Sequence, residues 1–179
     1  MSDAEYPPPG PYPGPAGQAP GYPPGYPAYA PPPASAYAHW GQRVGAYLID
    51  ALLLVPGYVV ASIGAALAGG DSGGASAVGA LLMAVGYLGS AAVAIWNQVF
   101  RQGRTGWSIG KKVLGIRLLA EATGQPLGPL LTFGRSLAHI LDALPCYLGF
   151  LWPLWDPKRQ TFADKIVHSV VVPQPEPPA

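Results

Sequence analysis

The sequence predicts an all-α membrane protein. The expected fold is a helical transmembrane bundle with two clear spans, a third apolar segment interrupted at Pro145, and a small β-hairpin-like loop on the cytoplasmic side. Three observations carry this. Half of the 179 residues are apolar and only 11% are charged, against roughly 25% charged in an ordinary soluble domain. Three long apolar segments follow one another after residue 43. Half of the chain's ten lysines and arginines fall in one short loop between the second and third of them.

Residues 1–38, built around "PPPGPYPGPAGQAPGYPPGYPAYAPPP", are almost entirely Pro, Gly, Tyr and Ala. Such a tract buries too little apolar area to offset its ordering entropy, so a disordered or polyproline II tail is expected. Its recurring "GYP" and "YPP" units are either docking sites for a proline-binding partner or plain solvated chain. The tract lacks the basic and apolar regions of a secretory signal. Residues 39–172 make the transmembrane domain, and 173–179 form a second Pro-rich tail.

The first apolar segment runs from about Val44 to Ala68 and the second from about Ala75 to Trp96. Each is long enough for a hydrocarbon core of about 30 Å. "GGDSGG" between them allows only a helical hairpin. Small residues at helical spacing (Gly57, Ala61, Ala65 and Gly86, Ser90, Ala94) suit close helix contact in lipid.

Next comes "FRQGRTGWSIGKKVLGIRLLAEATGQPLGP", with Arg101, Arg104, Lys111, Lys112 and Arg117. The positive-inside rule puts this loop, and with it the N-terminal tail, in the cytoplasm, with the domain in the cell (inner) membrane. Its bases are expected to meet anionic lipid, with Trp107 as an interfacial anchor. "VLGIRLL", a turn in "TGQP" and a short return read as a local hairpin. The third apolar segment, about Leu130 to Trp155, either crosses once or breaks at Pro145 and turns back. The return keeps Lys158, Arg159 and Lys165 inside and lets "HSVVV" pair with "VLGIRLL".

Ionisable residues inside the apolar segments are the candidate functional groups. Burying one at bilayer depth costs roughly 2.5–3.5 kcal/mol on insertion scales. Arg43 can snorkel to the headgroups. Asp50 lies seven residues further on, about 10.5 Å along the axis, and side chains lean toward the helix N-terminus. Asp50 therefore needs a partner from another segment, such as Arg135 or Lys165, or else a proton. "RVGAYLIDAL" at 43–52 aligns with "RSLAHILDAL" at 135–144, repeating the Arg seven residues ahead of an Asp. If both copies enter from one face, Asp50 and Asp142 lie at similar depth and can share a proton or cation. The alternative is that each Asp pairs with a base and fixes helix packing.

Arg43 opening the first helix, Asp50 within it, "GWSIGKKVLGIRLL" and "RQTFADKIVHSVVV" together resemble the RDD family of membrane proteins. The resemblance covers about residues 38–172. The family's naming arginine and two aspartates fall on Arg43, Asp50 and Asp164; Asp142 is not among them. It implies a multi-pass membrane domain of unsettled molecular function, for which transport has been suggested. Pro/Gly/Tyr-rich leaders like this one are familiar on actinobacterial membrane proteins.

Other chemistries fit poorly. "GRTGWSIGKK" lacks the spacing and the Ser/Thr of a phosphate loop. His39, His139 and His168 are too scattered for a metal motif, and Cys146, the single cysteine, reads as an inert buried thiol. Ser136, His139 and Asp142 on one helix cannot easily form a nucleophile–base pair, so no enzyme, no cofactor and no metal are expected. Net charge of +1 gives no field for nucleic acid. The expected partners are the lipid bilayer, a second copy of the chain and a proline-binding protein on the tail. The leading reading is movement of an ion or small solute; the alternative is a membrane-anchored scaffold.

Overall fold

The computed structural model describes residues 36–69 and 73–174; residues 1–35, Gly70 to Ser72 of the "GGDSGG" turn and the last five residues lie outside them, while Tyr37 and Ala38, expected in the disordered tail, are buried. α1 (Trp40–Leu52) starts at a capping box, in which His39 accepts from the backbone of the first turn and Gln42 reaches back to the cap. α2 (Val55–Ala68) follows after a two-residue break, with a proline in its first turn. Pro56 lacks an N–H and crowds the preceding carbonyls, so the first apolar segment bends by 44° instead of running straight.

α3 (Gly73–Ile95) returns against α2. Their contact runs along Gly57, Gly64, Gly79 and Gly86. A Cβ on Gly64 would sit 2.4 Å from the Met83 nitrogen, and one on Gly79 would sit 2.3 Å from the Ala68 nitrogen. Backbone therefore lies on backbone, which only glycine permits. Gly57 and Gly86 belong to the expected small-residue stripes; Gly64 and Gly79 extend the contact toward the turn.

α3 continues through a π-helical turn, Trp96–Arg101, into α4 (Gln102–Thr105). Residues Ser76–Thr105 form one helix long and apolar enough to cross a membrane. With α1–α2 as one bent span and the third apolar segment as another, the described residues hold up to three. Leu52, Leu81, Leu88, Leu130 and Leu144 all point outward, exposed. Apolar surface on that scale is out of place in water.

α5 (Ile109–Val113) and β1 (Ile116–Ala120) follow. α6 (Pro129–Ala143) begins on a proline and stops just before Pro145. Cys146 and Tyr147 then take left-handed φ values of 51° and 62°. α7 (Leu148–Leu151) and a 3-10 turn (Trp152–Leu154) leave at 107° to α6. The third segment breaks at Pro145 and turns back. α8 (Phe162–Ile166) and β2 (Ser169–Pro173) complete the chain.

β1 pairs antiparallel with β2, Leu118 opposite Val171. Ala38, Ala46, Ile116, Leu118 and Val171 pack in one buried cluster, and Leu119, Val170 and Val172 in another with Tyr37. The sheet thus joins the loop after α4 to the C-terminal segment. The local hairpin expected within that loop is not formed: Gln125 accepts from Ala120 in a turn, but Pro126 and Pro129 beyond it have no N–H to donate to a ladder. Two further expectations are corrected. Trp107 is buried under the Arg117 guanidinium, 4.0 Å from its ring centre, and is no interfacial anchor. Cys146 is exposed, because the left-handed turn carries it out of the core.

Candidate functional site

Three buried carboxylates organise the end of the bundle nearest the sheet. Asp164 is fully buried and sits between the two arginines of the repeated motif. Arg43 Nη1 donates to its Oδ2 at 2.5 Å and Arg135 Nε to its Oδ1 at 2.7 Å. Ser169 Oγ adds a third bond at 2.9 Å, and the Thr161 amide a fourth at 3.2 Å. Burial alone raises a carboxyl, but the charges of Arg135 and Arg43 win, holding Asp164 well below the usual carboxylate range. Arg43 does not snorkel; it spans from α1 to α8.

Among the described residues Asp50 makes no ion pair. Asn97 Nδ2 (2.7 Å), Gln98 Nε2 (2.9 Å), Ser108 Oγ (2.6 Å) and the Gly110 amide (2.8 Å) all donate to it. Neighbouring residues of an α-helix do not share a face; here the π-helical turn brings both Asn97 and Gln98 to one carboxylate. Such turns often mark functional sites. Asn97 also accepts from the Ile109 amide at 2.9 Å, so Asp50 and Asn97 together cap the start of α5.

Asp142 does the same for α8, accepting from the Phe162 amide at 2.8 Å and the Ala163 amide at 3.4 Å. His139 Nδ1 donates to it at 2.6 Å. Gly149 passes so close that a Cβ would meet Asp142 Oδ1 at 2.3 Å. Asp50 and Asp142 therefore have separate donors, and no hydrogen bond joins them. The shared proton or cation site is not formed. Arg135 belongs to Asp164, and Lys165 pairs with Asp156; neither serves Asp50.

These bonds expose a duplication that extends beyond the Arg–Asp motif. Ser108 and Thr161 are N-caps with φ, ψ of −76°, 171° and −76°, 173°; their helices end on Leu114 and Val167 at −91°, 7° and −95°, 7°. Gly115 and His168 then both take positive φ. The equivalent strand residues Leu118 and Val171 face each other. One unit is α1, α5 and β1; the other is α6, α8 and β2. Their strands pair antiparallel with equivalent residues opposed, and in sequence the repeat shows in the Arg–Asp spacing and in three matching Ala and Leu positions of 43–52 and 135–144.

A cavity of about 600 Å³ lies where the units meet. Arg43, Lys111, Arg135, Asp50 and His139 line it, and Trp40, Val44, Tyr47, Tyr147 and Phe150 supply apolar wall. Lys111 stands in α5 where Asp164 stands in α8. Its Nζ donates to Gln102 Oε1 at 2.6 Å. Burial, then the charge of Arg135, lower its pKa to about 7. Of the bases expected at the lipid surface, Lys111 turns inward, and Arg101 and Arg117 donate to the carbonyls of Trp107 and Thr105. Arg104 lies over the exposed Phe100 ring, and Lys112 is exposed on α5.

Comparison with known proteins fits this architecture. The chain is 39% identical over 159 residues to a proline-rich antigen of Mycobacterium leprae (strain TN), covering 79% of this chain and 63% of that protein. It is 49% identical over 98 residues to a proline-rich antigen homolog of Mycobacterium tuberculosis (strain ATCC 25618 / H37Rv), covering 55% and 41%. The chain thus spans less than two thirds of the length of these relatives. No solved structure matches. The RDD family model matches residues 37–168, the stretch that holds all of both units except β2, and the chain belongs to the RDD family.

Proposed function

We propose that this chain is a multi-pass protein of the cell membrane that binds and moves an ion or small solute through the cavity between its two units. The N-terminus and the sheet face the cytoplasm in this reading, in keeping with the bases at Arg101, Arg104, Lys112, Lys158 and Arg159. The observation that carries it is the cavity itself. A purely structural ion network would be packed solid, whereas Arg43, Lys111 and Arg135 border about 600 Å³ of open volume, a size typical of small-molecule sites. The carboxylates serve this site indirectly: Asp50 and Asp142 cap α5 and α8, and Asp164 fixes the arginines. The test is solute flux in proteoliposomes across ions and pH, comparing the wild type with Lys111→Met. Flux that is absent under every condition would refute transport.

The "GYP" and "YPP" units favour a second reading, a membrane-anchored scaffold whose tail recruits a proline-binding partner; relatives bearing the name proline-rich antigen are in keeping with it. Residues 1–35 of the tail lie outside the described residues. Deleting residues 1–35 abolishes partner capture in this reading and leaves solute flux intact in the first.

A further inference from the structure

Arg43 carries five N–H donors in a planar fork. Nη1 is used on Asp164, while Nε and Nη2 are buried and meet no acceptor among the described residues. Buried polar groups in folded proteins are nearly always paired, so each exception asks for an explanation. Arg135 uses Nε on Asp164, and its other nitrogens likewise find no acceptor among the described residues. Lys111 has three donors, of which one is taken by Gln102.

The acceptors that might have served these groups are occupied. Among the described residues Asp50 is the only carboxylate lining the cavity, and both its oxygens already accept two donors each. Asp164 is fully buried behind its own arginines and does not line the cavity. Arg43, Arg135 and Lys111 thus line an open volume with donors to spare, those of Arg43 buried in its wall, beside one saturated acid. No carboxylate oxygen there is left over for a cation. A guanidinium whose Nε and Nη2 are both unpaired matches a phosphate or carboxylate. Beyond this basic end the wall turns apolar, with Val44, Tyr47 and Phe150, and the volume is far larger than an inorganic anion needs.

We infer that the cavity is a site for an anionic amphiphile, its phosphate or carboxylate held by Arg43, Arg135 and Lys111 and its apolar body lying against Val44, Tyr47 and Phe150. The inference rests on the reading of the cavity as a binding chamber and names its ligand class. The same chemistry is offered by a lipid headgroup and by a free alkyl phosphate.

The test uses the full chain in nanodiscs of neutral phosphatidylcholine, with Trp40 in the cavity wall as a fluorescent reporter. Hexyl phosphate is titrated beside hexanol, hexylamine and inorganic phosphate. A saturable change is expected with hexyl phosphate, at least about tenfold weaker binding of inorganic phosphate, and no saturable change with hexanol or hexylamine. Lys111→Met, which leaves the Asp164 clamp intact, should weaken hexyl phosphate at least about tenfold; circular dichroism checks that the variant is folded. If replacing the bilayer with phosphatidylglycerol competes the signal away, the headgroup is the source; if the signal persists, the free anion is. Equal response to hexylamine, or hexyl phosphate binding unchanged in Lys111→Met, overturns the anionic assignment. Saturable hexylamine binding without hexyl phosphate binding overturns it while leaving the chamber itself standing. No saturable response to any probe overturns both.

Discussion

Asp164 and Lys111 occupy the same position in the two units of the domain. Each is the third residue after an N-cap hydroxyl, and each backbone amide donates to that hydroxyl, Thr161 Oγ1 at 3.1 Å and Ser108 Oγ at 3.2 Å. A symmetric fold would place either two acids or two bases between Arg43 and Arg135. The substitution of charge sign at this one position gives the pair of arginines a single carboxylate on one side and a lysine on the other. That asymmetry leaves the cavity basic.

The caps give the first prediction. Asp50 accepts from four neutral donors, so Asp50→Asn replaces an acceptor oxygen with an N–H₂ group facing groups that also donate. Hydrogen bonds to charged groups contribute about 1.5–3 kcal/mol each, and a stranded buried donor costs about 1–3 kcal/mol. A loss of roughly 2–4 kcal/mol in folding stability is expected, measured by thermal or denaturant unfolding in detergent. An unchanged melt would contradict the reading of Asp50 as an acceptor that caps α5.

The pH dependence of stability follows from Lys111. Its pKa in the folded chain is about 7, below the ordinary 10.5. Between those values the unfolded chain holds the proton and the folded chain does not, so stability rises with pH across that window. Below about pH 7 both states are protonated and the full penalty stands. The charged groups facing Lys111 are Arg43 of α1 and Arg135 of α6, which oppose its charge, and Asp50 of α1 and Asp164 of α8, which favour it. Lys111→Met should stabilise the protein at pH 7 and flatten its stability profile from pH 7 to 10. A profile that keeps its slope in the variant assigns the titration to another group.

Helix contact supplies a control experiment. Gly64→Ala and Gly79→Ala put a Cβ into backbone of the opposite helix and should cost on the order of 2 kcal/mol or more, as overpacking does. Gly89 and Gly134 have open space at the Cβ position, so their Ala variants should melt at or slightly above the wild-type temperature. Equal losses at all four sites would dissociate α2–α3 contact from stability.

Much of this arrangement was legible in the sequence, and the misses have physical reasons. The Arg–Asp repeat stood out because charge is rare in apolar helices. The break at Pro145 followed from proline chemistry, and the same rule applied at Pro56, where Leu53–Leu54 bends the first segment without any charged flank to draw attention. Asn97 and Gln98 fall just past the second apolar segment as the sequence bounds it, and their common target depends on a π-helical turn that no periodicity announces. Lys111 lay in a basic run and so resembled a lipid-facing residue; its inward direction is set by the N-cap at Ser108. The kinship of "SIGKKVLGIRLL" and "TFADKIVHSVVV" was hidden because caps and backbone angles recur where side-chain identities do not.

Topology yields a prediction that involves no energetics. The pairing of β1 with β2 puts the loop after α4 and the C-terminal strand on the same side. With Cys146 first replaced by Ser, single cysteines at Arg104 and Gln174 should both resist a membrane-impermeant maleimide applied to intact cells and react after lysis. Labelling of the Gln174 site alone from outside would contradict the sheet.

The account depends most on Asp164 binding two arginines at once and so joining the units. A double-mutant cycle on Arg43→Gln and Arg135→Gln, followed by denaturant unfolding in detergent at fixed pH, measures this directly. Either single change leaves the carboxylate one guanidinium, while removing both leaves a buried, uncompensated charge, for which the penalty is about 3–5 kcal/mol. The double variant should therefore lose more than the sum of the single losses, by about 1 kcal/mol or more. Losses that add within about 0.5 kcal/mol would show two independent arginines and contradict the clamp.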